Sequence, residues 1–486
     1  MIDLSEGCAT LPSMTEERPA LDADDLVRAT RGRLLQRSER AIRGAAVDSR
    51  LVSPGMLFVA LPGERTDGHR YLEAAVAAGA AALVVTRAPS ADERAGLGDV
   101  TIVQARDGLA ALGSIAAAWR TRFDPLVVGV TGSISKTSTK EAVAAVLGRR
   151  WRTLKSEGNQ NNEVGLPLTV LRLERSHEAA VLEMGMYVGG EIAELARISR
   201  PRIGVVTAVQ PVHLARIGSI EAIAAAKAEL VESLPADGAA VLNADDPRVA
   251  AMAARTAART VTYGFGPEAD VGAESVRSAG FDGMRFVLRL PPAGRPSRRD
   301  VTIPALGRLS VQNAIAAAAV GVAAGLDGDV IGKGLAAGWS APRRIQPLRV
   351  GDLTLIDDTY NASPGSVAAA LDLLAGLPGR RVAVLGEMLE LGEAAAEGHR
   401  AVGRAAAATC DLIIVVGRAA QGIADGAIAG GLEAGRIVSV ADLEAAREAI
   451  LARLGQGDVV LLKASRGVGM SALVDALAAE LGGARG

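Results

Sequence analysis

Aromatic residues are scarce in this chain: five Phe, four Tyr and three Trp among 486 residues. Since 49% of residues are hydrophobic all the same, the cores must be built from Ala, Val, Leu and Ile. Cysteine is nearly missing too. Cys8 and Cys410 lie in different segments, which argues against a disulfide framework and against a cysteine metal site. Charge of neither sign dominates. The 53 basic residues face 55 acidic ones, for a formal net charge of -2, so nothing points to a nucleic-acid or membrane-surface partner. No uninterrupted apolar stretch reaches the length of a membrane span, and MIDLSEGCATLPSMTEERPA at the N-terminus lacks a basic-then-apolar signal pattern. The expectation is a soluble, cytoplasmic protein without membrane insertion. No internal repeat is visible, and the many Ala runs are accounted for by helix formers in a biased composition.

What is present is a long alternation of short apolar runs and helical patterns. The length suggests about three domains. Residues 1-20 are polar and non-periodic, the pattern of a disordered extension. Residues 21-107 form a first α/β domain: GMLFVALPG predicts a strand and turn, and YLEAAVAAGAAALVV a helix leading into a strand. A central domain, 108-342, contains the buried-strand runs AAVLEMG, RIGVVTAV and GAAVLNADD. That alternation predicts a mostly parallel sheet covered by helices. Between Arg259 and Ile303 the runs RTVTYGF and MRFVLRLP predict a small antiparallel insertion. A C-terminal α/β domain of Rossmann-like pattern, 343-486, has strands LTLIDD, RRVAVLGEM, DLIIVVG and DVVLLKAS, with GWSAPRRIQPL as the hinge before it.

One stretch carries chemistry. In GVTGSISKTST the apolar run Leu126 to Val130 feeds a short loop, and Lys136-Thr137 opens a helical pattern. This is the strand–loop–helix setting of a phosphate-binding loop, spanning Thr131, Gly132, Ser133, Ile134, Ser135, Lys136, Thr137 and Ser138. The lysine would neutralise phosphate oxygens, the threonine hydroxyl would hold Mg²⁺, and backbone N–H groups at the helix start would cradle the anion. Two glycines of the strict motif are missing, at Val130 and Ser135, so a Ser/Thr-rich helix cap is the competing reading. Three further residues sit where open α/β sheets place ligand sites or are out of character for their segment. Glu183 ends the AAVLE run; His213 follows the run from Ile203 to Val209; Lys227 is the one basic residue of AIAAAKAELVESL. Each also has a plainer reading: a solvated carboxylate, a structural histidine, a lysine reaching solvent. Together they make a Mg-nucleotide constellation.

These residues resemble the Mur ligase superfamily, over almost the whole chain after the N-terminal extension. AVDSRLVSPGMLFVALPGERTDGHRYLEAAVAAGA is similar to that family's uridine-nucleotide domain, and SEGNQNNEVGLPLTVL and LEMGMYVGGEI to segments that follow its phosphate loop. VLNADDP, DDTYNASPGS and VAVLGEMLELG extend the likeness. EMGM with GNxNNE and DDxYN points to the branch that adds D-alanyl-D-alanine to UDP-N-acetylmuramoyl-tripeptide, completing the peptidoglycan pentapeptide precursor for the cell wall. The resemblance implies three α/β domains, ATP and Mg²⁺, and a monomer. It implies that ATP phosphorylates the tripeptide carboxylate and that the dipeptide amine then displaces phosphate. Carried onto this chain, Lys136 holds the β- and γ-phosphates and Thr137 a Mg²⁺. Glu183 and His213 serve metal sites, joined by Lys227 if carbamylated. Asn161 and Asn162 face the substrates, Ser49 the uridine nucleotide, Asn313 the adenine and Asp358 the ribose, while Arg344 reaches the phosphates.

The chain departs from the family pattern at mostly neutral residues: Ser135, Ala208, Leu309-Ser310, Arg343 for a glycine, Ser363 and Ala464. Such changes leave two other readings open, a ligase-like binding protein without catalysis and a related ligase with another amino acceptor. Magnitudes favour activity. A non-glycine residue in a left-handed position costs about 1–2 kcal/mol, whereas a lost charged partner or metal ligand costs several kcal/mol of transition-state stabilisation. All the charged positions matched above are present.

Overall fold

The computed structural model describes residues 19–63, 66–211, 217–291 and 297–482. The expected disordered extension, 1-20, therefore lies almost wholly outside the described residues, as does His213. Two compact units divide the chain: Met1–Phe123 with Leu171–Ser176, and Asp124–Val170 with His177–Gly486.

The first unit is built on a five-stranded sheet in the order Arg33–Gln36, Thr101–Gln104, Ala82–Val85, Leu57–Val59, Ala45–Ala46. Only the edge strand Arg33–Gln36 runs antiparallel. Phe58, Leu83, Val85 and Ile102 form its buried core. The expected strand and turn around Phe58 and the helix-to-strand passage into Ala82–Val85 are both present, the helix being Leu72–Ala77.

The second unit contains two sheets. One has nine strands in the order Ser297–Ile303, Met284–Leu290, Val271–Ser278, Arg259–Gly264, Ala239–Asn243, Ile203–Val206, Leu126–Thr131, Ala179–Glu183, Thr153–Lys155. The strands from Arg259–Gly264 to Thr153–Lys155 pair in parallel with one another, and the four between these two are almost wholly buried and therefore written as largely apolar runs. The helix Arg308–Ala323 packs on them with Ala316, Ala317, Ala318 and Ala319 all buried. Alanine is what lets a helix in the middle of a core approach its neighbours on all sides.

The expected antiparallel segment is present but begins later than Arg259. Arg259–Gly264 is a parallel strand of the main sheet, Val271–Ser278 pairs with it in parallel, and Met284–Leu290 and Ser297–Ile303 then extend that sheet's edge in antiparallel. In Met284–Leu290, Met284, Phe286, Leu288 and Leu290 point inward while Arg285 is exposed. Such alternation suits an antiparallel edge with one face in water.

The other sheet runs Gln346–Val350, Leu353–Asp357, Val459–Lys463, Arg381–Gly386, Leu412–Val416, Ile437–Val440, parallel except for its first strand. The carboxyl ends of its strands and of the nine-stranded sheet supply the polar residues described next.

Candidate active site

The strand Leu126–Thr131 ends under the loop 132–135, and the helix Lys136–Leu147 begins directly after it. Gly132 has φ 147°, and a Cβ there would lie 1.9 Å from Thr207 Oγ1, so glycine is required for both conformation and space. Ser135 has φ 66° and ψ −1° and gives the helix no side-chain cap. Its Oγ is buried without a partner. The loop is braced by the next strand end. Ser133 N–H donates to Ala208 O at 2.8 Å, Ser133 Oγ donates to Gln210 O at 3.0 Å, and Thr207 Oγ1 donates to Ile134 O at 2.6 Å. Lys136 Nζ donates to Gly132 O at 2.7 Å. Burial lowers the Lys136 pKa; Glu183 opposes that shift and Arg344 adds to it.

Glu183 ends the buried strand Ala179–Glu183 and is 2% exposed. One oxygen, Oε1, accepts from Asn161 Nδ2 at 2.8 Å, while Oε2 is buried with no partner. A buried carboxylate oxygen without a donor is costly unless a cation or a donor reaches it. Lys227, on the helix Ile220–Glu232, is 3% exposed and held well below the usual lysine pKa by burial, with Lys136 adding repulsion. It does not snorkel to solvent. Thr137 is buried beside Lys136, and Thr131 Oγ1 donates to Met184 O at 2.8 Å, locking the two strand ends together.

A cavity of about 540 Å³ opens over this loop. Ser133, Ile134, Ser135, Lys136 and Ser138 line one side, with Asn161, Glu183 and Asn313; Arg344, Asp358 and Lys463 line the other. Asn313 is buried, its Oδ1 accepting from Thr139 Oγ1 at 3.1 Å. The Arg344 guanidinium lies over the Tyr360 ring, 4.0 Å from its centroid, and its Nε is buried without a partner. Burial raises the Asp358 pKa while Lys463 pulls it back; Lys463 Nζ sits 2.5 Å from Asp358 Oδ2 and 2.9 Å from Asn361 O.

The cavity gathers Ser133 to Lys136, Ser138, Asn161, Glu183, Asn313, Arg344 and Asp358, while Thr131, Gly132, Thr137 and Lys227 are buried and do not line it; three other residues singled out in the sequence stand apart. Asn162 does not line the cavity: its Oδ1 accepts from Gly165 N–H at 2.9 Å and fixes the start of the helix Gly165–Val170. Ser49 lies in the other compact unit, opening a short turn capped by Asp48, whose carboxyl the Arg50 guanidinium holds down at about 2. His213 lies outside the described residues. Sequence reasoning misses two cavity residues, Lys463 and Tyr360. Both belong to stretches that it does pick out, DVVLLKAS and DDTYN, and a lysine ending a buried strand is a usable signal.

For a magnesium ion the fit is local. Among the described residues no group of three His, Cys, Asp or Glu could hold a metal. Mg²⁺ bound with a nucleotide, however, takes one or two carboxylates and completes its shell with phosphates and water. The unpartnered Glu183 Oε2 and the buried Thr137 meet that requirement.

Comparison with known proteins decides the family. Residues 130–321 match the Mur ligase middle domain, 343–466 the Mur ligase glutamate ligase domain, and 41–120 the Mur ligase family catalytic domain. The chain is 40% identical to the UDP-N-acetylmuramoyl-tripeptide–D-alanyl-D-alanine ligase of Mycobacterium tuberculosis over 470 residues, 89% of this chain and 91% of that one. The chain belongs to the Mur ligase family. Among solved Mur ligases, MurF from Acinetobacter baumannii superimposes with a TM-score of 0.84 at 30% identity, covering 95% of this chain and 99% of that one. The Thermotoga maritima MurF ligase in complex with ADP gives 0.79 at 28% identity, covering 90% and 98%.

Two of the departures expected from the resemblance coincide with unusual backbone: Ser135 and Arg343, where glycine is expected, both have positive φ, 66° and 62°. Arg343 offsets its strain with ion pairs to Asp357 at 2.9 Å and Asp475 at 2.8 Å. Ser363 caps the helix Pro364–Ala375 in a reciprocal box with Ser366, work that an asparagine would also do. Ser135 has no such compensation. Ser135→Gly is expected to raise the thermal midpoint, since relief of about 1–2 kcal/mol of left-handed strain exceeds the added chain entropy of glycine. It is also expected to lower KM for ATP by removing a Cβ from the loop. An unchanged KM in steady-state assays would refute the crowding argument.

Proposed function

We propose that this chain is the ATP-dependent ligase that joins D-alanyl-D-alanine to UDP-N-acetylmuramoyl-tripeptide in peptidoglycan precursor synthesis. The observation that carries the reading lies in the cavity itself. Of the four buried side-chain polar atoms without a partner among the described residues, Ser135 Oγ, Glu183 Oε2 and Arg344 Nε belong to residues lining it. The carboxylate and the guanidinium left open around a phosphate loop suit a nucleotide triphosphate with its cation. The names of the relatives select the acceptor: D-alanyl-D-alanine, not a single glutamate.

In this reading Lys136 and the helix start bind the β- and γ-phosphates, and Arg344 draws charge from the transferring phosphoryl group. Asn313 lies at the adenine and Asp358, held by Lys463, at the ribose. Glu183 and Thr137 hold Mg²⁺, with Lys227 once carbamylated and His213; when bound, the ion neutralises phosphate charge. The γ-phosphoryl group passes to the tripeptide carboxylate, giving an acyl phosphate and ADP. The dipeptide amine attacks that carbonyl, loses a proton, and inorganic phosphate leaves as the amide forms. Asn161 orients Glu183 at this centre, and Ser49 contributes to the uridine-nucleotide site. The protein acts as a cytoplasmic monomer; among the described residues no helix is long and apolar enough to cross a membrane.

The test is phosphate release with ATP, Mg²⁺, UDP-N-acetylmuramoyl-tripeptide and D-alanyl-D-alanine. Release is expected only with both co-substrates. Nucleotide binding without substrate-dependent release would establish a non-catalytic relative instead, and preference for glutamate as acceptor would overturn the acceptor assignment.

A further inference from the structure

The helix that starts at Lys136 carries a second lysine one turn on, at Lys140, and this one is completely buried. A buried ammonium is expensive, and an apolar side chain of similar volume would stabilise the fold at least as well. Its contacts show what the charge holds. Lys140 Nζ donates to Ser156 O at 2.5 Å and pairs with Glu141 Oε1 at 3.1 Å. Glu141 is also bridged by Lys155, half exposed at the surface. Ser156 is itself fully buried, just beyond the strand Thr153–Lys155, and its N–H donates to Val181 O at 3.1 Å. Its hydroxyl accepts the backbone N–H of Glu183 at 3.1 Å.

These bonds form one chain: phosphate-loop helix, Lys140, Ser156, Glu183. Asn161 orients the Glu183 side chain through Oε1, and Ser156 fixes its backbone, so Oε2 is aimed by two separate anchors. We infer that Lys140 is a positioning residue of the nucleotide site, which sets Ser156 and through it the placement of Glu183 relative to the phosphate loop. This rests on the reading of Glu183 as the cation-facing carboxylate. Lys140 reaches no reacting atom. Its role is to tie the helix that binds phosphate to the strand end that binds the cation, so that the two sites keep one geometry. Glu141 and Lys155 keep the buried charge compensated without competing for Ser156.

The experiment uses the full chain as Lys140→Met, Ser156→Ala and the double variant. Hydrogen exchange read by mass spectrometry should show the Glu183 amide exchanging at least about tenfold faster in each variant, with the strand Leu126–Thr131 still protected. Calorimetric binding of ADP without metal should be unchanged, while the gain in affinity on adding Mg²⁺ should shrink by about tenfold, the usual effect of removing a support behind a metal ligand. The double variant should be no worse than Lys140→Met, because both act through one chain. If Lys140→Met does not fold, Ser156→Ala still decides, since it deletes only the hydroxyl. An unchanged Glu183 amide in Ser156→Ala, or unaltered magnesium dependence in a folded Lys140→Met, would overturn the inference. Absence of ligase activity in the parent protein would sink the proposed reaction, yet leave the amide-exchange result standing by itself.

Discussion

Replacing Lys136 with alanine is expected to lower ligase turnover by about 10³-fold, the scale of losing a preorganised charged donor at a phosphoryl-transfer site. The fold should hardly notice. Lys136 Nζ makes one short bond, 2.7 Å to Gly132 O, worth about 1 kcal/mol net. Against that stands the cost of a half-buried ammonium whose pKa desolvation has already lowered. The two terms oppose each other, so the thermal midpoint should move little while turnover collapses. A parallel loss of stability and turnover would mean that the lysine is a structural bolt of the loop. Ser135→Gly is the internal control: same loop, no charge removed, opposite expected direction.

The loop is legible in the sequence because its parts are local. A buried parallel strand must be an unbroken apolar run, so the residues alone locate the end of Leu126–Thr131 and the end of Ala179–Glu183. The left-handed backbone at Ser135 is legible too, as the position where the strict motif demands glycine. What cannot be read depends on partners distant in the chain. Lys463 meets Asp358 across 105 residues, and nothing near either residue announces the other. Asn162 illustrates the reverse failure. The family resemblance implies that Asn161 and Asn162 both face the substrates; in the fold Asn161 donates to Glu183, while Asn162 accepts from Gly165 N–H at a helix start. Side-chain amides serve either purpose, and which one is decided by the direction of the chain. The antiparallel edge is legible as alternation, but where it starts is not: alternation marks a strand with one wet face, and does not say whether it starts a new sheet or extends an old one.

Lys227→Met should abolish most of the activity and at the same time stabilise the protein. In the unfolded chain this lysine binds its proton up to about pH 10.5; in the fold, burial and Lys136 hold its pKa well below that. Between the folded value and the unfolded one the unfolded state carries more protons, so stability rises with pH, and below the folded value the native state bears the full cost. Methionine removes that cost. In buffer freed of carbon dioxide the variant should therefore melt above the parent near neutral pH, with the gap closing as pH climbs past about 10. The same depression enlarges the neutral fraction of the amine, a nucleophile able to add carbon dioxide and lose a proton, which would place an anion beside Lys136 instead of a second cation. With ¹³C-bicarbonate the parent should show a carbamate resonance that Lys227→Met lacks, and its turnover should fall when carbon dioxide is withdrawn. If, as proposed, the carbamylated Lys227 holds the cation, turnover in the variant should be lower by at least about 10²-fold. A variant that melts lower near neutral pH would show that Lys227 is a paired structural cation. One that keeps its turnover would remove it from the reaction.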